Sequence, residues 1–293
     1  LASRSHLEKI QIITNDLFDN KKIEPKEIDV FTATCGPGLI GSLLVGSTFT
    51  KSLAISFKKP FIPTNHLEGH ILSTSFNNNI KFPNLILLLT GGHTQVYLMK
   101  SENEIELLGQ SVDDAIGEAF DKTAKLIGLS YPGGSEIEQK ALAGDENKFV
   151  LPKPLVKEKS FNFSFSGIKT NISLLTKKNK IDKKFIEDLS ASFQKNITEI
   201  LIEKLERGLE RLNSEDKNIK SISVVGGVSN NKYIRSKIEN FFIKKNIEIY
   251  YPIKEMMGDN AAMIAWACMK FYNKERNDLF FKPMPRLGVR SVL

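Results

Sequence analysis

One unit, repeated three times, constrains the fold of this chain more than anything else in it: a short apolar run that ends in clustered glycines. Residues 29–34 lead into Cys35-Gly36-Pro37-Gly38-Leu39-Ile40-Gly41, residues 84–90 into Gly91-Gly92-His93, and residues 222–225 into Gly226-Gly227-Val228-Ser229-Asn230-Asn231. After the first and third turns the pattern becomes helical, from a cap at Ser42 to about Phe57 and from Lys232 to Lys244. Strand, bare turn and helix N-terminus in that order offer backbone amides and a positive dipole end to a phosphate or ribose. After the second turn the chain returns as a strand over residues 94–99, with a third strand over 104–108, so Gly91-Gly92 closes a hairpin. Tight turns alone also account for such glycines, and none of the three fits G-x-x-x-x-G-K-[ST]. Their spread over both halves of the chain points to two α/β lobes and a nucleotide.

Between these units the pattern is plainer. Leu7, Ile10, Ile13 and Leu17 recur at helical spacing, and residues 114–129 read as a helix carrying Glu118, Asp121 and Lys122. Tyr131-Pro132-Gly133-Gly134 ends that helix, and Glu136 and Glu138 lie on the next helical stretch. Residues 144–167 are loop-like and contain the alternation Phe161-Asn162-Phe163-Ser164-Phe165-Ser166-Gly167, an extended segment with one aromatic face. Phe185, Leu189, Phe193, Ile197, Leu201 and Leu205 form the core stripe of a long helix over residues 183–212. The lysines just before and inside its start, Lys177, Lys178, Lys180, Lys183 and Lys184, read by default as a solvated loop.

The totals exclude several classes. With 41 Lys and Arg against 34 Asp and Glu, the net charge of +7 permits a polyanionic partner without requiring one. Cys35 and Cys268 match no C-x-x-C pattern, which leaves no disulfide framework or cysteine-based zinc site and fits a cytoplasmic setting. No run approaches the roughly 18 apolar residues of a membrane span, so no membrane partner is expected.

The four histidines include a pair with chemical meaning. If residues 66–76 are helical, His66 and His70 stand at i and i+4 on one face, the spacing of a two-histidine metal half-site that needs a further ligand. The order is H-x-E-x-H, so Glu68 does not occupy the position of the base in an H-E-x-x-H peptidase. Far downstream, Gly258-Asp259-Asn260-Ala261-Ala262 opens the last clear helix. Asp259 is there either as its N-cap or as a carboxylate aimed at a metal.

Taken together, Asn65-His66-Leu67-Glu68-Gly69-His70, Thr90-Gly91-Gly92-His93-Thr94-Gln95, Gly117-Glu118-Ala119-Phe120-Asp121-Lys122, Tyr131-Pro132-Gly133-Gly134, the segment from Phe163 to Thr170, Gly226-Gly227-Val228-Ser229-Asn230-Asn231 and Gly258-Asp259-Asn260 resemble the motif set of the TsaD family of tRNA threonylcarbamoyladenosine transferases. The resemblance runs in order over nearly the whole chain. It implies an actin/Hsp70/sugar-kinase-like α/β fold of two lobes with a nucleotide cleft, an N-terminal lobe of residues 1–82 rejoined by 260–293 and a C-terminal lobe of 83–259. It implies transfer of threonylcarbamoyl from threonylcarbamoyl-AMP to N6 of adenosine 37 in tRNAs reading ANN codons, with TsaB-like and TsaE-like partner proteins. His66, His70 and Asp259 would hold one divalent metal, Fe(2+) or its competitor Zn(2+). Leu89, Thr90, Gly91, Gly92, His93, Asp121, Gly134, Glu138 and Asn231 would hold the adenylate. The family's N-terminal strand pair has no counterpart here, because Ala2-Ser3-Arg4-Ser5-His6 matches the segment after it, and an open sheet edge is expected. Thr90 stands where serine is usual, and Glu138 where many members have Asp. A small-molecule kinase of the same superfamily and a non-catalytic scaffold paralogue are the alternatives.

Overall fold

The computed structural model describes residues 2–21, 23–273 and 275–289. The chain divides into two compact units, Leu1–Phe76 with Asp259–Leu293, and Asn77–Gly258. Asp259 therefore belongs to the first unit.

The first unit is built on a parallel pair of strands, β1 (Phe31–Gly36) and β2 (Phe61–Asn65), joined through helix α2 (Ile40–Ser56). Phe31, Ala33, Cys35 and Phe61 form a small core with Ala54 of α2. Helix α2 starts two residues before the expected cap. Leu39 is the N-cap and contributes no side-chain bond, so Ser42 already lies inside the helix. The turn before it is a packing turn, since a Cβ on Gly36 would fall 2.2 Å from the Met284 carbonyl oxygen. Helix α1 (Ala2–Lys21) forms as its periodicity predicts, yet Leu7, Ile13 and Leu17 of the expected core stripe are exposed. Helix α3 (His66–Ser73) follows β2 directly and packs on α9 (Ala261–Lys270).

The second unit holds a five-stranded sheet in the order β5-β4-β3-β6-β7, made of β3 (Asn84–Leu89), β4 (Thr94–Ser101), β5 (Glu104–Gln110), β6 (Ser221–Val225) and β7 (Glu248–Tyr250). β3, β4 and β5 are an antiparallel meander, whereas β6 and β7 join in parallel. Every residue of β3 is buried, as its unbroken apolar run requires of a central strand covered on both faces. Helices α4 (Ile116–Leu126), α5 (Gly133–Ala141), α6 (Ser166–Lys178), α7 (Lys183–Ser214) and α8 (Lys232–Lys244) complete the unit. The six predicted stripe residues of α7 are all buried in its core. Helix α4 is shorter than residues 114–129, because Thr94 Oγ1 accepts the amide of Ile116 and fixes its start. Helix α6 was not evident from periodicity, for it buries only Ile168 and Ile172. The aromatic face of the preceding segment is core, with Phe161, Phe163 and Phe165 fully buried.

Candidate metal centre and nucleotide cavity

Asn65 begins the first site. Its side-chain oxygen accepts the amides of Leu67 at 2.8 Å and Glu68 at 3.4 Å, an N-cap that starts α3 at His66. Its amide nitrogen meanwhile donates to the carbonyls of Leu287 and Gly288, which ties the helix start to the C-terminal segment. One turn on, the rings of His66 and His70 meet edge to face with centroids 4.9 Å apart. Gly69, between them, faces α9, where a Cβ would lie 2.9 Å from Ile264 Cδ1 and 3.3 Å from Met263 Cγ, so the two helices pack closely there. The same packing brings Asp259, two residues before α9, to the imidazoles.

The two roles left open for Asp259 separate here. Asn260 is the N-cap of α9, its side-chain oxygen accepting the Met263 amide at 2.9 Å. Asp259 instead places Oδ1 3.0 Å from His70 Nε2 and 3.5 Å from His66 Nε2. All three donor atoms lie within 4.8 Å of one another. Two ligands about 2.1 Å from one cation at a tetrahedral angle stand about 3.4 Å apart, so the spacing and the donor chemistry fit a divalent ion. His70 is fully buried, and its Nδ1 makes no hydrogen bond among the described residues; packing holds that ring. Asp259, with its side chain 74% exposed, leaves the other side of the site open. His66 and Asp259 also line a cavity of about 640 Å³ walled by β1, α1, α2 and α9.

The second site lies in the other unit. A cavity of about 370 Å³ is lined by Gly91, Gly117, Asp121, Gly134, Glu138 and Asn231, together with Phe120, Ser135, Val228 and others of the same loops. Its glycines divide into two kinds. Gly117 is a packing glycine, since a Cβ would lie 2.7 Å from Gly91 Cα, and so is Gly226 next to the wall, with φ +92° and a Cβ 2.4 Å from the Leu89 carbonyl oxygen. At Gly91, Gly134 and Gly227, all on the cavity wall, a Cβ would meet nothing within 4 Å. Packing does not require glycine at those three positions, and what they give the cavity is bare backbone with room in front of it.

The polar side chains around this cavity are engaged in holding loops. Asp121 Oδ1 accepts the Gly133 amide at 2.8 Å and fixes the Tyr131-Pro132-Gly133-Gly134 turn. Asn231 caps α8 through the Ile234 amide and donates to Gln194 of α7. Glu138 accepts the Lys232 amide at 2.7 Å, at the same helix start. Thr90 closes its own turn by accepting the His93 amide at 2.9 Å. Of the residues expected to hold an adenylate, Gly91, Asp121, Gly134, Glu138 and Asn231 line the cavity, whereas Leu89, Thr90, Gly92 and His93 do not. Leu89 and Thr90 are buried beneath the turn.

The family model for TsaD, tRNA N6-adenosine threonylcarbamoyltransferase, matches residues 1–266. A protein of that name from Thermosipho africanus is 42% identical over 291 residues, 99% of this chain and 87% of its own length; one from Pelagibacter ubique is 44% identical over 98% and 80%. The chain belongs to the TsaD family. Its fold class is the actin/Hsp70/sugar-kinase-like α/β one, and solved HypF structures share that fold with TM-scores of 0.61 and 0.62 at 16% and 14% identity, over 88–89% of this chain and 40–43% of theirs. The TsaD motifs distribute unevenly over the two sites. Gly117, Phe120, Tyr131, Pro132, Ser135, Gly227, Val228 and Asn230 also line the cavity although none was expected as a ligand; all but Ser135, which adjoins Gly134, fall within one of those motifs. The segment from Phe163 to Ser166 lines neither site. Asp113 anchors it by accepting Ser164 Oγ at 2.5 Å, Ser166 Oγ at 2.7 Å and the Phe165 amide at 2.8 Å.

Proposed function

We propose that this chain transfers the threonylcarbamoyl group from threonylcarbamoyl-AMP to N6 of adenosine 37 in tRNAs that read ANN codons. The observation that carries the reading is the convergence of His66, His70 and Asp259 within 4.8 Å, in a chain 42–44% identical to proteins named for this activity. A divalent cation held by those three would act as a Lewis acid on a carbonyl oxygen of the transferred group. Fe(2+) is the proposed ion, with Zn(2+) the chemical competitor at two imidazoles and a carboxylate.

The remaining roles belong to the protein. The bare backbone at Gly91, Gly134 and Gly227 accepts the adenylate closely, and Asp121, Asn231 and Glu138 keep the surrounding loops in the shape that receives it. Holding donor and acceptor in an oriented complex removes much of the entropic barrier to attack by the adenosine amine. TsaB-like and TsaE-like proteins are proposed partners, and the cytoplasm the proposed location; among the described residues no helix is long and apolar enough to cross a membrane. A phosphoryl-transfer reading has no use for the histidine pair, and a scaffold has none for all three donors.

The test is transfer of labelled threonylcarbamoyl from the adenylate to an ANN-decoding tRNA, with partner proteins present, before and after chelation and with the metal content measured. Activity should fall with the metal and return on adding one divalent ion. Full activity in metal-stripped protein removes the cation from the mechanism, and no transfer from the metal-loaded complex sinks the whole reading.

A further inference from the structure

The lysines between α6 and α7 are more than a solvated loop. Residues 177–184 contain five lysines against one aspartate, a net +4 out of +7 for the whole chain. Helix α6 ends at Lys178 and α7 begins at Lys183, so the lysines ride on two helix ends joined by a short, ordered turn, and all five are exposed. Helix stability explains part of this arrangement. Lys177 and Lys178 sit in the last turn of α6, where the negative dipole end favours cations. The same rule runs against Lys183 and Lys184, which open α7 at its positive end with no acidic residue in that first turn. Lys184 is offset by Asp188 at 2.8 Å, but Lys183 lies 3.9 Å from Glu187 with its side chain 87% exposed. The Asp182 carboxylate caps α7 and offsets part of that cost, which leaves Lys177, Lys178 and Lys180 without an ion pair among the described residues and Lys183 only loosely paired, a patch of exposed positive charge.

The turn is also near the nucleotide cavity within the same unit. Lys184 Nζ reaches the Ala143 carbonyl, and the neighbouring Gly144 lines a second cavity of about 520 Å³ with Ala191 and Gln194 of α7. That cavity shares Ser135 and Glu138 with the one of about 370 Å³ that holds Gly91 and Asn231. From Lys183 to Gln194 the helix advances about 16 Å at 1.5 Å per residue. A polyanion lying on the turn is thus about 16 Å along α7 from the cavity that adjoins the proposed adenylate pocket.

We propose that the α6–α7 turn is a docking surface for the tRNA phosphate backbone, with Lys177, Lys178, Lys180 and Lys183 as the contacting cations. The partner rests on the transferase reading above; the surface rests on charge and placement.

The full chain carrying Lys180→Glu and Lys183→Glu tests it by binding to an unmodified ANN-decoding tRNA transcript over a range of salt. An acidic residue at position 183 suits the α7 N-terminus but faces Glu187 one turn on, so melting is measured alongside, and Lys180→Gln with Lys183→Gln, which adds no like charge, should show the same direction of change in binding at wild-type melting. Each lost phosphate contact removes about 0.7–0.9 from the slope of log K against log salt. The double variant should therefore lose about 1.4–1.8 in slope and at least tenfold in affinity, with KM for tRNA raised and kcat unchanged. A control of equal charge change, Lys9→Glu with Lys26→Glu, should lose less than half of that slope. Equal losses in both variants, or wild-type slope and KM in the first, overturn the surface. If the lysine variant alone loses binding while wild type transfers nothing, the surface stands and the transferase reading fails.

Discussion

The two candidate sites are built by opposite means. At the first, side chains meet one another directly: His66, His70 and Asp259 converge, and the nearby cap is supplied by Asn260, which leaves the carboxylate for the imidazoles. At the second, the side chains hold the protein, and the surface presented is backbone at Gly91, Gly134 and Gly227. A cation needs two or three strong donors at fixed spacing, whereas a nucleotide needs room and amide dipoles over a longer span. Substitutions at the first site should therefore cost chemistry with little stability, and at the second they should cost stability and substrate affinity together.

The largest expected effect breaks the first site. His70→Ala should abolish metal retention and lower transfer about 10³-fold, the equivalent of about 4 kcal/mol of lost Lewis-acid assistance. A variant that keeps its metal and its rate would dissolve the contrast. Next, Asn231→Ala removes the α8 cap and leaves Gln194 without its amide partner, at about 2–3 kcal/mol of stability by urea titration. Unchanged stability with weaker substrate binding would show that Asn231 acts on the ligand directly. Asp121→Ala should cost about 1 kcal/mol and raise KM for the adenylate roughly tenfold through the freed Gly133 turn, with metal content unaltered. The smallest effect lies outside both sites. Burial disfavours the charged form of Asp113, yet the bonds from Ser164, Phe165 and Ser166 together hold its carboxyl below the usual range. A carboxyl depressed by folding adds stability that is present above its unfolded pKa of about 3.9 and is lost as pH falls through the folded value. Asp113→Asn should thus cost about 0.5 kcal/mol at pH 7, an amount limited by solvent exposure, and the gap to wild type should close in acid. A gap that persists at pH 2 would assign the cost to packing.

Much of this was legible because it is local. An i, i+4 pair follows from helix geometry, the stripe of α7 from its period, and β3 from an unbroken apolar run. What failed was local as well. Ser42 looked like a cap only because the sequence cannot show that Leu39 already ends the turn, and α6 hid because two buried isoleucines make a faint period. Leu7, Ile13 and Leu17 gave a correct helix but not its burial, since periodicity says which face is apolar and nothing about what covers it. The second cavity, about 520 Å³ among α5, α7 and α8, was legible only through Glu138, because its walls are drawn from three separate helices.

By itself the sequence determined most of the strands and helices, α6 excepted, the two imidazoles on one helical face and the glycines at strand ends, all of which depend on residues a few positions apart. Only the tertiary structure decided that Asp259 points at those imidazoles and Asn260 does the capping, and which glycines face open space. Those outcomes turn on how α3 packs against α9 and on which backbone lies opposite each turn, and residues near in space but remote in sequence fix both.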